Sequence, residues 1–325
     1  MEAMRRAPHA SCVVIDSKRE YRSLTLSYPG TQVFPIGAEP RYSFNPLVPP
    51  EGVDTNHWDR AFGDVFTRAY GLAEPSRRIV LDCLFRLRQG AKESPTLREL
   101  EREVASFDAG SSKEQNSQRS LESRLHLINT GPLGDSLNSE SRLLFQDLER
   151  KVSIFEIGEV DSLRDQRFVA ELLLAYLWQH DRASPWGEDE KLGRLIVVEE
   201  AHRYLSEERP PEQKGDRTLL ELAIAEARRY GWGFLIIDQM PLLLSRYVWD
   251  NVGTTFVHRL TNLDSYRAAS RLFAEDPTGI GPWPDEKMAQ VLLKLPEGLA
   301  VYKRYVDYGS ESGAASGVTA VPKVR

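Results

Sequence analysis

The chain has 325 residues with 42 Lys and Arg against 48 Asp and Glu, a formal net charge of −6, and it is 41% hydrophobic and 28% charged. These are the proportions of an ordinary globular protein; they argue against a general basic coat for nucleic acid and leave a local basic channel open. Cys12 and Cys83 are too few and too scattered for a disulfide framework or a zinc site, no apolar run approaches the ~18 residues of a membrane span, and the first residues lack an apolar signal core, so a reducing cytoplasm is the expected compartment.

Met1 to Arg6 reads as the last turn of a helix, followed by the Ala7-Pro8-His9 turn. Ser11 to Asp16 reads as a buried strand ending on an acid, Gln32 to Ile36 as a second short strand, and Tyr42 to Leu47 as the way out of the sheet. From about Asn56 to Arg150 the pattern is helical and polar, and the Gly/Ser/Gln-rich AGSSKEQNSQ reads as a loop within it. Pro95-Thr96 with Glu99 spells a capping box that opens a helix. Residues 56–150 are therefore expected to be an all-helical insertion between two parts of one core, 1–55 and 151–308.

The strands then resume. Val152 to Ile157 predicts a strand, and Gln166 to Gln179 an amphipathic helix with Val169, Leu172, Leu173, Tyr176 and Leu177 apolar. A strand at Leu195 to Val198, a helix from Thr218 to Tyr230 and a strand from Phe234 to Ile237 follow. Thr254 to Leu260 and Leu299 to Tyr302 read as further strands, with Asp264 to Phe273 helical between them, and Gly309 to Arg325 as a patternless, flexible tail. Strands alternating with helices predict an α/β fold with a mainly parallel, doubly wound sheet.

The candidate chemistry sits at strand ends. Leu195-Ile196-Val197-Val198 suits a strand buried on both faces, and it delivers Glu199 and Glu200 to the C-terminal edge, where open α/β sheets place their ligands. Adjacent acids in that place resemble the Walker B element of a P-loop nucleotide hydrolase. Phosphoryl transfer to water needs positioning and charge neutralisation more than covalent chemistry. Glu199 can hold Mg²⁺ through water, and Glu200 can orient the attacking water. Gln239 ends another strand as a γ-phosphate sensor, and Arg228 and Arg229 close the helix between those strands. Each has a plainer reading. Paired glutamates favour the first turn of a helix, Asp16 can be a strand-end cap, and Arg228-Arg229 can stabilise a helix C-terminus. His202 reads as a structural hydrogen-bonder, and Arg77, Arg78, Arg86 and Arg88 as solvated helix faces.

Together these residues resemble the HerA branch of the HerA/FtsK superfamily, hexameric RecA-like ATPases that translocate double-stranded DNA. The resemblance runs from about Ser11 to Tyr302 and rests on Glu199-Glu200-Ala201-His202, Arg228-Arg229-Tyr230-Gly231, Asp238-Gln239-Met240-Pro241 and Leu260-Thr261-Asn262. Val14-Ile15-Asp16-Ser17-Lys18-Arg19-Glu20-Tyr21 and Phe44-Asn45-Pro46-Leu47 add to it. It implies a RecA-like P-loop NTPase core, ATP and Mg²⁺ as cofactors, Glu200 as catalytic carboxylate and Gln239 as sensor. Glu199 and Asp16 would be acids on the metal side, Asp16 and Glu20 would lie beside the nucleotide, and Arg228 would be a finger acting in trans, with Arg229 next in line. The sequence departs from the family at Glu199, where aspartate is usual, at Arg19, where glycine is common, and at Met240, where arginine is common.

None of the 22 glycines is followed by lysine, so the sequence contains no G-x-x-x-x-G-K-[ST] phosphate loop. The family places that loop and its helix just before the Asp16 strand. The expectation is an N-terminally incomplete ATPase, inactive alone, whose parent activity is ATP hydrolysis coupled to double-stranded DNA movement by a hexameric ring, with a nuclease or defence effector as partner. The alternative is a non-hydrolysing assembly or regulatory subunit. A weaker one is an adaptor that works through residues 56–150.

Overall fold

Five parallel strands set the position of everything else. The computed structural model describes residues 10–90, 94–143, 152–160, 162–183, 192–206, 218–260, 264–265, 269, 285–307 and 312–320. The expected helix turn at Met1 to Arg6, most of Asp264 to Phe273, and Thr261-Asn262 lie outside the described residues. Strands β1 (Ser11–Asp16), β2 (Gln32–Pro35), β3 (Val152–Glu156), β4 (Arg194–Glu199) and β5 (Trp232–Ile237) form one sheet in the order β2-β3-β1-β4-β5. Every pairing in it is parallel. The three central strands, SCVVID, VSIFE and RLIVVE, are almost wholly buried, as continuous apolar runs covered on both faces should be. β5, WGFLII, is as apolar in sequence but lies at an edge and is only partly covered.

Helices α1 (Thr55–Tyr70), α2 (Glu74–Gln89), α3 (Leu97–Ala105), α4 (Ser112–Thr130) and α5 (Pro132–Leu137) follow β2. Asp54 caps α1 by accepting from the His57 amide, and Gly71, at φ 63°, closes it with a left-handed turn. The capping box at Thr96 and Glu99 is present at the start of α3. AGSSKEQNSQ is not a loop throughout, because α4 begins inside it. Ser111 accepts from the Glu114 amide, and the Glu114 carboxylate accepts from the Gly110 amide at 3.0 Å. Small polar residues that suggest a loop by composition here supply the cap.

The helices join the sheet layer through α6 (Leu163–Ala183), which is apolar and buried along most of its length. Phe62, Phe66 and Tyr70 of α1 pack their rings on Phe168, and Trp58 meets Tyr176 edge-on at 5.1 Å. Of the arginines of α2, Arg88 is largely buried in this layer, whereas Arg78 and Arg86 lie on a solvated face and pair at the surface. Arg88 forks Asp59 at 2.6 and 2.7 Å, Arg77 pairs with Asp64, Arg78 with Glu114, and Arg86 with Glu103. At the N-terminal edge of the sheet, Arg194 is fully buried against Asp181, which also accepts from Trp232 Nε1 at 2.8 Å.

The chain divides into two compact units, Met1–Tyr204 with Arg209–Ile237, and Leu205–Glu208 with Asp238–Arg325. The division falls at Ile237, inside the segment 151–308 that the sequence presents as one piece. In the second unit, β6 (Thr254–Val257), β7 (Leu299–Asp307) and β8 (Ser312–Ala320) form a separate antiparallel sheet in that order. The later strands are therefore not part of the parallel sheet. β8 also occupies most of the stretch expected to be a patternless tail, since SGAASGVTA pairs along its length with β7. Small residues carry no alternating pattern, and backbone pairing needs none. Among the described residues, no helix is long and apolar enough to cross a membrane.

Candidate functional site

Parallel pairing in register brings four strand ends level. Asp16 lies opposite Glu156, and Glu199 opposite Ile237, while the β1–β4 register ends with Ile15 opposite Val198. Three acids, Asp16, Glu156 and Glu199, thus stand side by side at the C-terminal edge, all buried.

Asp16 works as the cap of the turn that follows β1. Its Oδ1 accepts from the amides of Lys18 at 3.0 Å, Arg19 at 2.6 Å and Glu20 at 3.4 Å, and its Oδ2 from the Tyr21 amide at 3.2 Å. The turn takes Arg19 to φ 62°, the left-handed region that favours glycine, which accounts for the glycine common there in the resembled family. Gly158, in the loop after β3, presses against this turn. A Cβ on it would lie 2.6 Å from the Ser17 carbonyl oxygen.

Glu156 is held by two guanidinium groups from the same turn. Arg22 Nε and Nη2 donate to it at 2.5 and 2.7 Å, and Arg19 Nε at 3.2 Å; Arg19 also pairs with Glu159. Burial alone would raise the Glu156 carboxyl, but the hydrogen bonds and charge of Arg22, with those of Arg19, outweigh it and hold it below the usual carboxylate range. The sequence gives no role to Lys18, Arg22 or Glu156. Glu156 answers to the rule that singles out Asp16 and Glu199, an acid closing an apolar strand.

Glu199 is in the opposite condition. It is 5% exposed, and its Oε2 has no hydrogen-bond partner. Burial first, then the charges of Glu20 and Asp16, push its carboxyl up to about 7. The same field acts on Tyr21, whose phenol is raised to about 12 by burial and by Glu199, Asp16 and Glu20. Glu200 follows in a left-handed backbone, φ 51° and ψ 46°, and opens a single 3-10 turn, Ala201–Arg203. Its Oε1 accepts from Lys18 Nζ at 2.8 Å, and the Arg203 guanidinium lies 4.0 Å from Oε2. That hydrogen bond raises the Lys18 ammonium above its ordinary value.

Arg228 and Arg229 lie at the other end of the sheet from this group. The predicted helix Thr218 to Tyr230 is α7 (Leu219–Glu226) followed by a 3-10 turn, Ala227–Tyr230, so both arginines sit on the turn. That turn enters β5 at its N-terminal end, whereas Glu199 is level with the C-terminal end of β5. Five strand steps separate the two ends, roughly 17 Å. Arg229 lies over the Tyr230 ring at 5.6 Å. Gln239 follows β5 by two residues and is exposed.

Among the described residues, no group of three or more His, Cys, Asp or Glu is arranged to hold a metal ion. Mg²⁺ does not need such a cage, because it keeps several waters and takes one or two carboxylates beside substrate phosphates. Glu199, with its uncommitted Oε2, fits that demand. Asp16, engaged by four amides, has little capacity left for it.

No protein-family model matches the chain. No curated protein matches it either. Solved structures do. VirB4 of Thermoanaerobacter pseudethanolicus superposes with a TM-score of 0.68 at 14% identity, over 98% of this chain and 84% of that one. The plasmid coupling protein TrwB in complex with the non-hydrolysable ATP analogue ADPNP gives 0.60 at 10% identity, over 98% and 79%. TrwB in complex with ADP and Mg²⁺ gives 0.55 at 11% identity, over 99% and 86%. At such identities the likeness is one of fold, and the fold is that of RecA-like P-loop ATPases.

Proposed function

We propose that the chain is the hydrolytic and sensing part of a HerA-like ATPase that moves double-stranded DNA through a hexameric ring. The observation that carries this reading is Glu200, held in a left-handed backbone at the end of β4, directly after a buried Glu199 with an uncommitted oxygen. Non-glycine residues in that conformation cost of order 1–3 kcal/mol and cluster at functional sites. In this reading Glu200 orients the attacking water, Gln239 senses the γ-phosphate, and Glu20 lies beside the nucleotide. Mg²⁺, when bound, would neutralise phosphate charge, held by Glu199 through water. A nuclease or defence effector is the partner such a ring serves. TrwB, the fold neighbour that holds ADP and Mg²⁺, supports the cofactor assignment.

The test is in two steps. Titration calorimetry of ATP–Mg²⁺ against the 325-residue chain should give millimolar affinity or weaker, about −4 kcal/mol, because nothing in the sequence replaces the phosphate loop. When the chain is supplied with a strand–phosphate loop–helix segment, hydrolysis should appear, and Glu200→Gln should abolish it while ATP still binds. Micromolar binding by the chain alone, or hydrolysis indifferent to Glu200→Gln, would overturn the reading.

One observation favours a second reading, a non-hydrolysing assembly subunit: the Glu200 carboxylate is already engaged by Lys18. In that case hydrolysis stays absent after the loop is supplied, and Lys18→Met does not restore it.

A further inference from the structure

A cavity of about 570 Å³ opens beside β2, with Arg22, Phe34, Pro35, Pro40, Arg41 and Tyr42 in its walls. It lies at the C-terminal edge of the sheet, because Pro35 ends β2 level with Glu156. Three strand spacings, roughly 14 Å, separate β2 from β4, the strand that carries Glu199. None of the residues used by the hydrolytic reading lines it.

The walls are set in place. The Ile36 amide donates to the Glu156 carbonyl at 2.9 Å, the Gly37 amide to Ser136 Oγ at 3.0 Å, and the Tyr42 amide to the Pro35 carbonyl at 2.8 Å. Phe34 stacks on Phe155 with ring centroids 5.0 Å apart and meets Tyr42 edge-on at 4.7 Å. Two aromatic rings and two prolines thus give the cavity a rigid apolar wall, the usual make-up of a preformed small-molecule site.

Two guanidinium groups supply the polar part. Arg41 is held by Glu39 through Nη2 at 2.6 Å and by Asp135 through Nη1 at 2.7 Å, yet its Nε is buried and makes no hydrogen bond. Arg22 gives Nε and Nη2 to Glu156 and leaves Nη1 without a partner among the described residues. Buried donors are normally paired, so an orphaned Nε on a cavity-lining arginine points to an acceptor from outside the chain. The ion pairs already fix both guanidinium planes, so an incoming oxyanion would not have to order them.

We propose that this cavity binds a mononucleotide, its base against Phe34, Tyr42 and the prolines and its phosphate on Arg41 Nε and Arg22 Nη1. The volume lies in the range of sites that enclose molecules of that size and exceeds what a bare phosphate needs. Arginine presents a planar fork suited to phosphate oxygens. Glu39 and Asp135 oppose an anion, but their side chains are 74% and 49% exposed, so water and salt screen them. This site is separate from the one that the ATPase reading assigns beside Glu199, and either can exist without the other.

The test is titration calorimetry and hydrogen exchange on the full chain, with AMP as the probe and adenosine and inorganic phosphate as its two halves. AMP should bind with a Kd of about 0.1 mM or below, and each half at least about tenfold more weakly. Amides between 33 and 42 should exchange more slowly with AMP bound, while those of 196–203 are unchanged. Arg41→Lys keeps the charge but loses the Nε donor. The carboxylates that pair with Arg41 sit at the surface, so this variant should fold normally and bind AMP at least about tenfold more weakly. No saturable binding of AMP, protection at 196–203 in place of 33–42, or undiminished affinity in Arg41→Lys overturns the assignment. Adenosine binding as tightly as AMP takes the arginines out of the site, and inorganic phosphate binding as tightly takes the aromatic wall out of it; either result overturns it too.

Discussion

Lys18 Nζ donates to Glu200 Oε1 at 2.8 Å, tying the turn after β1 to the carboxylate after β4. The lysine side chain is 32% exposed, so water competes for the pair. Lys18→Met should therefore change stability by no more than about 1 kcal/mol in urea melts. A loss near 3 kcal/mol would show that the pair acts as a buried structural bridge. Glu200→Gly removes the same pair but also relieves the left-handed backbone, so it should be neutral or more stable than Lys18→Met. The difference between the two variants includes the strain stored at Glu200, offset by the greater freedom glycine gives the unfolded chain.

Glu199 gives the site a pH signature. Its carboxyl is raised from 4.5 to about 7, so between those values the folded chain binds a proton that the unfolded chain has released. Stability then falls as pH rises through that window, and it stays lower above it. Glu199→Gln keeps the shape and removes the ionisation. Its melting temperature relative to the parent should therefore be more favourable at about pH 8 than at about pH 5. An equal shift at both values would mean that Glu199 ionises like a solvated acid.

Gly158 is the contact on which the Asp16 turn rests. The atom it meets, the Ser17 carbonyl oxygen, is backbone and cannot swing away from a Cβ placed 2.6 Å off. Gly158→Ala should cost about 1–3 kcal/mol by forcing the loop after β3 off the turn. Because Arg19 and Arg22 reach Glu156 from that turn, hydrogen exchange at residues 18–21 should speed up in the same variant. Unchanged stability and exchange would place the rigidity of the turn in the Asp16 cap alone.

The parallel sheet and its acid edge are legible in the sequence because each central strand is a short apolar run closed by an acid, and that pattern survives without knowledge of its neighbours. Lys18 and Glu156 are not legible as partners of the site. Their roles depend on which strands lie side by side, and β1, β3 and β4 are far apart in the chain. The start of α4 is hidden because a cap made of Ser111, Glu114 and Gly110 has the composition of a loop. β6 and β7 are recognisable as strands but not as members of a second sheet, since a strand's own residues do not say which edge it joins.

Arg228 and Glu200 stand at opposite ends of the sheet, and this decides how Arg228 can act. The 3-10 turn bearing Arg228 precedes Trp232, which is level with Arg194, whereas Glu200 follows Glu199, which is level with Ile237. Roughly 17 Å of strand lies between them, more than a guanidinium on its stem can reach. In the proposed reading, any service of Arg228 to hydrolysis is to another subunit's nucleotide. Arginine fingers can contribute ~10³-fold or more to turnover. In rings supplied with the phosphate loop, Arg228→Ala and Glu200→Gln should each be nearly inactive. Mixed rings should regain activity, because some interfaces pair an intact Glu200 with an intact Arg228. ATPase rate against mixing ratio checks this, with the maximum expected at intermediate ratios. If Arg228→Ala alone hydrolyses at the parent rate, the residue is only a charge beside the β5 entry, and Arg229→Ala becomes the variant to mix.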